Sequence, residues 1–124
     1  MKRVLVAVPD LFFGLPITNA VRAAGAEPIP VRRPEDAFAA LASESPHLPD
    51  AVIVDLAAHI DPPDVIAAAA AQNIPVFAFG SHLDTAAIMA ARAAGADKVV
   101  ANGALTATLP PWLAYQLAHP PAEG

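Results

Sequence analysis

The chain has 124 residues, 56% of them hydrophobic and 15% charged, with a formal net charge of −5. That profile predicts one globular domain with its own core and excludes a disordered chain. Cysteine is absent, which excludes disulfides, thiolate metal sites and cysteine nucleophiles.

Charge narrows the partners. The seven Lys and Arg are scattered, with Lys2-Arg3 and Arg32-Arg33 the only pairs. Phosphate backbones require clustered cations, so no nucleic-acid partner is expected, and no anionic membrane surface. The longest apolar run, Val65 to Ala71, falls well short of the roughly 20 residues a membrane span needs. Asp10 interrupts the apolar stretch after Lys2-Arg3, so Val4–Val8 reads as a strand and not as a signal peptide. A cytoplasmic location is expected.

Val4-Leu5-Val6-Ala7-Val8 is a continuous apolar run stopped by Pro9-Asp10, the pattern of a strand covered on both faces. A helix is predicted over Pro16–Ala26. Pro16 suits its first turn, Ile17, Ala20, Val21 and Ala24 form its apolar face, and Gly25 suits its end. Glu27–Val31 is a second strand, which Pro28 and Pro30 confine to a sheet edge. Arg33-Pro34-Glu35-Asp36 opens a second helix that runs to about Ser43. Ala51-Val52-Ile53-Val54 gives the strongest strand signal and ends at Asp55.

Asp61-Pro62-Pro63-Asp64 opens a third helix, Val65 to about Gln72, closed by Asn73. Pro75–Phe79 is a fourth strand ending at Gly80-Ser81-His82. Asp84-Thr85 starts a fourth helix, Ala86–Ala94, ending at Gly95. Lys98–Ala101 is a fifth strand, and Asn102-Gly103 a turn dipeptide. A last helix is predicted over Pro111–Ala118, giving a single domain over 1–118 and a short flexible tail over 119–124.

Strand and helix alternate with short connections, and the strands are apolar runs. That pattern predicts an α/β, flavodoxin-like three-layer sandwich: a five-stranded parallel sheet of order 2-1-3-4-5 with helices on both faces. In such a sheet chemistry lies beyond the carboxyl ends of the strands. Those ends carry Asp10, Asp55, Gly80-Ser81-His82 and Asn102, with His59 in the loop after Asp55.

The segments Asp50–Leu56, Pro75–Ser81 and Ala90–Lys98 resemble the third strand, the fourth strand and the helix-to-strand junction of response-regulator receiver domains. The Ala-Gly-Ala-Asp junction at 94–97 is the most telling piece, and the resemblance spans nearly the whole chain. It implies an aspartate that accepts phosphate from a histidine kinase. Such chemistry uses a nucleophilic carboxylate, Mg²⁺ held by further acids, a lysine and a hydroxyl residue to neutralise the phosphoryl oxygens.

Mapped by resemblance, the phosphoacceptor position is Asp55. The acid pair falls on Pro9-Asp10, or on Val8-Pro9 in the neighbouring register, so at most one acid remains. Asp10 and Asp55 are the candidate metal ligands, for Mg²⁺ if any. The hydroxyl position falls on Gly80 with Ser81 adjacent, and the lysine position on Asn102. Lys98 precedes Asn102 by four residues of strand, roughly 13 Å. These departures imply a divergent, pseudo-receiver-like, stand-alone signalling module. It would act by protein–protein contact, would not be an enzyme and would require no cofactor. A homodimer through helix 4, strand 5 and helix 5 is a further implication. Two alternatives stay open: a working atypical phosphoacceptor using Asp55 and Mg²⁺, and a small-ligand or metal-binding flavodoxin-like domain.

Other features have two readings each. Asp10, Asp55, His82 and His59 could converge on a metal; alternatively His82 is a loop residue beside Asp84, itself a helix cap. Asp10 and Asp55 could equally cap nearby loop amides. Leu11-Phe12-Phe13 is either core packing or an apolar docking patch. Trp112 is either a contact anchor or a half-buried core residue. No G-x-G-x-x-G or Walker loop is present to cradle a nucleotide.

Overall fold

A computed structural model describes residues 1–119. Five strands, β1 (Arg3–Ala7), β2 (Glu27–Pro30), β3 (Ala51–Asp55), β4 (Val76–Gly80) and β5 (Lys98–Ala101), form one parallel sheet in the order β2-β1-β3-β4-β5. The helices are α1 (Leu11–Ala23), α2 (Pro34–Leu41), α3 (Pro62–Ala71), α4 (Thr85–Ala94) and α5 (Leu105–Ala118). This is the expected sheet order. The expected flexible tail, apart from His119, lies outside the described residues.

Alternation along the strands divides the core into two layers. Leu5, Ala7, Val52, Val54, Val76 and Ala78 face Ala37, Leu41, Val65, Ile66, Ala69 and Ala91 of α2, α3 and α4. Val4, Val6, Ile53, Phe77 and Phe79 face Ile17, Val21, Leu105, Leu109 and Leu113 of α1 and α5. Strands β3 and β4 are buried throughout, which is why their residues read as unbroken apolar runs. The proline-bearing β2 lies at one edge, where missing N–H donors cost no ladder bond.

Two helices are longer than the sequence suggests. α1 starts at Leu11 and not at Pro16, because the Phe12 N–H donates to Asp10 Oδ1 at 2.8 Å and so caps the helix there. Pro16 therefore sits inside the helix, where it forfeits one helical donor. α5 starts at Leu105 and encloses Pro110 and Pro111. Buried Leu105, Leu109 and Leu113 repeat at helical spacing and hold that helix on the sheet despite the prolines. Asn102–Ala104 is a 3₁₀ turn running straight into α5, not an isolated turn.

Two aspartates bracket the amino ends of strands. The Asp50 backbone N–H donates to the Arg3 carbonyl at 2.8 Å, and Asp50 Oδ2 accepts the Arg3 N–H at 2.8 Å. Asp97 repeats this on Val76: its N–H donates to the carbonyl at 2.9 Å and its Oδ2 accepts the N–H at 2.7 Å. Gly95 makes the second bracket reachable. It ends α4 with φ 113°, and a Cβ there would lie 2.9 Å from Ala70 Cβ.

Candidate functional site

The carboxyl ends of β2, β1 and β3 open on a cleft of about 300 Å³, walled by Asp10, Arg32, Asp55, Ala57 and His59 among others. Three adjacent strands each deliver one charged residue. Asp10 follows β1. Asp55 ends β3, paired with Phe79 of β4. Arg32 follows β2, where the Val31 N–H still bonds the Val6 carbonyl at 3.0 Å and fixes the chain beside β1.

Asp55 is 5% exposed and is the one buried charged residue among those described. Its Oδ1 accepts the Ala57 N–H at 2.9 Å. Its other oxygen has no protein hydrogen bond among the described residues, yet no buried side-chain oxygen is left unsatisfied, so that oxygen is open to the cleft. Burial pushes the Asp55 carboxyl above the usual carboxylate range. The Ala57 amide pulls it down, and the Asp10 charge pushes it up. Asp10 itself is exposed, with one oxygen committed to capping α1. Both acids thus cap a local amide and also face the cleft.

The ends of β4 and β5 differ. A Cβ on Gly80 would lie 3.1 Å from Leu56 Cβ, so the Leu56 side chain covers the position where the receiver resemblance expects a hydroxyl residue. Ser81 Oγ accepts the Leu83 N–H at 3.2 Å in the turn before α4, and Asp84 caps that helix by accepting the Ala87 N–H at 3.1 Å. Gly80 and Ser81 line a separate cavity of about 40 Å³ with Leu56 and Ala57. Asn102 opens the 3₁₀ turn and does not line the cleft. Lys98 pairs with Phe77, toward the opposite end of the sheet.

The four-residue convergence of Asp10, Asp55, His59 and His82 does not form. His59 lines the cleft, whereas His82 is exposed in the β4–α4 turn and does not. No three metal-ligating side chains come together among the described residues. The turn taken by Ser81 and Asp84 to start α4 carries His82 away from the strand ends. The chemistry of Asp10 and Asp55 still suits Mg²⁺, a hard ion that binds through one or two carboxylates and keeps several waters.

Leu11-Phe12-Phe13 divides between its two readings. The Phe13 ring lies 5.3 Å from Phe79 and joins the core, while Phe12 is 77% exposed. Leu11 and Leu15 are exposed beside it. Trp112 is half-buried with its ring 5.4 Å from Phe77, the core position.

Arg32 is the cleft residue that sequence reasoning missed. The available signal was its position just beyond the carboxyl end of β2, the same rule that picked out Asp10 and Asp55. That signal is weak because β2 is a short, partly exposed edge strand.

Solved structures of the same architecture exist. The receiver domain of a Clostridium thermocellum response regulator superposes with a TM-score of 0.78 at 15% identity, covering 95% of each chain. The fold is that of response-regulator receiver domains. The receiver domain of the Pseudomonas aeruginosa sensor histidine kinase PA1611, with a magnesium ion coordinated in its active-site cleft, matches at TM-score 0.77 and 16% identity, over 94% of this chain and 98% of its own. The phosphorylated cyanobacterial phytochrome response regulator RcpA matches a similar share, 92% of this chain and 89% of its own, at TM-score 0.73 and 18% identity. No family model and no curated protein matches the sequence. No helix among the described residues is long and apolar enough to cross a membrane.

Proposed function

We propose that this receiver-like chain is a signalling module that works by contact with a protein partner, without the aspartyl phosphorylation of a conventional receiver and without enzymatic activity. The supporting observation is the division of the strand ends. The phosphoacceptor position that the resemblance assigns, Asp55, keeps its carboxylate on the cleft, while Gly80, Ser81 and Asn102, at the receiver's hydroxyl and lysine positions, do not line it. Leu56 covers Gly80, Ser81 is engaged with Leu83, and Asn102 replaces the lysine. Phosphoryl transfer depends almost wholly on such positioned charges.

The partner is a protein, not nucleic acid or membrane, in keeping with the net charge of −5. Two exposed apolar surfaces are available to it: Leu11, Phe12 and Leu15 on α1, and Leu83 with Met89 at α4. The second adjoins β5 and is the side on which a homodimer through α4, β5 and α5 would form.

One observation favours a second reading. A buried carboxylate with one oxygen open to a cleft that holds another acid is the start of a phosphoacceptor site. In that reading Asp10 and Asp55 would hold Mg²⁺, which would supply positive charge to an incoming phosphoryl group.

Incubation with Mg²⁺ and acetyl phosphate, followed by intact-mass measurement, separates the two. The contact reading expects no phosphoryl adduct on the wild type and the same result for Asp55→Asn. An adduct on the wild type that Asp55→Asn abolishes selects the phosphoacceptor reading.

A further inference from the structure

The two helical layers of the sandwich differ in charge. α5 has no charged residue in its 14 positions, and α1 has only Arg22, in its last turn. Each helix of the opposite layer carries at least one: Glu35 and Asp36 on α2, Asp64 on α3, Arg92 on α4. Leu11, Phe12, Leu15 and Tyr115 are exposed on the layer that lacks charge. Between its two helices lies a groove of about 80 Å³. Pro16, Ile17 and Ala20 of α1 and Leu105, Leu109 and Pro110 of α5 line it, with Thr106 the one polar side chain. Phe12 stands in line with this groove, about one turn before Pro16 and about two before Ala20 on one stripe of α1. Its ring is braced: it meets the Phe13 ring edge-on at 5.1 Å, and Phe13 lies against Phe79 of the core.

We propose that the α1–α5 layer is a homodimer face, on which each copy of the chain seats its Phe12 ring in the groove of the other. A two-fold interface uses the same patch on both copies, so that patch must hold both a projection and its receptacle. Here one stripe of α1 holds both. Charge selects the same occupant. Each copy carries a formal −5, so two copies repel wherever their acids meet. The α1–α5 layer is where they can touch with almost no charge between them. A basic partner would gain nothing from a face without acids and would be steered to the others. The two-fold also runs α1 antiparallel to its copy. Asp10 at the start of each α1 then approaches Arg22 at the end of the other, an opposite-charge pair at the rim. Few charges and a central aromatic are the composition of an interface core. A ring already braced by Phe13 gives up little freedom on docking.

This inference goes beyond the contact reading and stands whether or not Asp55 accepts a phosphoryl group; equally, a monomeric chain would leave the contact reading intact. Its test is sedimentation equilibrium of the full chain for the wild type, Phe12→Ala, Pro110→Glu and Leu83→Ala. All three positions are exposed, and thermal melts check that each variant keeps the fold. The wild type is expected to dimerise reversibly with a Kd of about 10–100 μM. Phe12→Ala should raise that Kd at least about thirtyfold, because each dimer loses two seated rings. Pro110→Glu places an acid at the groove and should weaken the dimer as strongly. Leu83→Ala, on the α4 side, should change it by less than about twofold. In a mixture of ¹³C-labelled and unlabelled copies, contacts between the Phe12 ring and the Leu109 methyls should appear across the interface. A wild type still monomeric at about 1 mM would overturn the proposal. So would a dimer indifferent to Phe12→Ala, or one that Leu83→Ala dissociates, which would put the second copy on α4.

Discussion

Four aspartates lie at the two ends of one sheet, and they are used differently. At the amino ends, Asp50 and Asp97 each lock a neighbouring strand with a backbone and a side-chain bond. At the carboxyl ends, Asp10 and Asp55 each satisfy one local amide and leave further oxygen capacity facing a cleft. The first pair finishes the fold. The second pair is held in place by the fold with coordination to spare, and spare coordination is what binding requires. The resemblance to receivers is read from both ends alike, yet the Ala-Gly-Ala-Asp junction reports the structural end and says nothing about phosphoryl chemistry.

The contrast predicts a graded set of effects. Asp97→Ala removes a short, charge-assisted bond to a strand amide and should cost about 2–3 kcal/mol in chemical denaturation. A loss below about 0.5 kcal/mol would place Asp97 with the uncommitted acids. Gly80→Thr introduces a hydroxyl where the receiver resemblance expects one but drives its Cβ to 3.1 Å from Leu56 Cβ. It should cost about 1–2 kcal/mol, and combining it with Leu56→Ala should cost less than the sum of the single changes. Additive costs would mean that Leu56 does not obstruct the site.

Asp55→Asn acts in the opposite direction. The folded chain holds the Asp55 carboxyl above its unfolded value, so the native state keeps a proton that the unfolded chain has released. Stability therefore rises as pH falls through the folded value toward the unfolded one, and the full penalty is present above the folded value. The asparagine variant lacks that penalty and keeps an oxygen for the Ala57 amide. At neutral pH it should be more stable by on the order of 1 kcal/mol. Its advantage should shrink on acidification in paired thermal melts; an advantage that grew with acid would reverse the assigned sign. The smallest effect belongs to Asp10→Ala, which loses the α1 cap for about 0.5–1 kcal/mol. Amide exchange near Phe12 should rise in that variant while β1 stays protected, and equal loosening of both would assign Asp10 a larger structural part.

The sheet was legible because its inner strands are apolar on both faces, and prolines 28 and 30 correctly marked an edge. Both helix-start errors came from prolines. Pro16, Pro110 and Pro111 look like first-turn residues, but apolar residues at helical spacing carry α1 and α5 through them. At the site, Asp10 and Asp55 were legible because each ends a strong strand. Arg32 was not, since β2 is short and its burial weak. The Leu56 cover on Gly80 has no sequence signal, because it depends on the parallel registration of β3 and β4. His82 was misplaced for a similar reason: residues adjacent in sequence to a strand end can belong to the next helix's cap.

The most direct test of a module that signals by contact and not by aspartyl phosphorylation is a ¹⁵N–¹H spectrum recorded with beryllofluoride and Mg²⁺, a stable stand-in for an aspartyl phosphate. Wild type and Asp55→Asn are predicted to give the same small changes as Mg²⁺ alone. Saturable shifts at Ala57 that extend into α4 in the wild type, and are absent from Asp55→Asn, would contradict it.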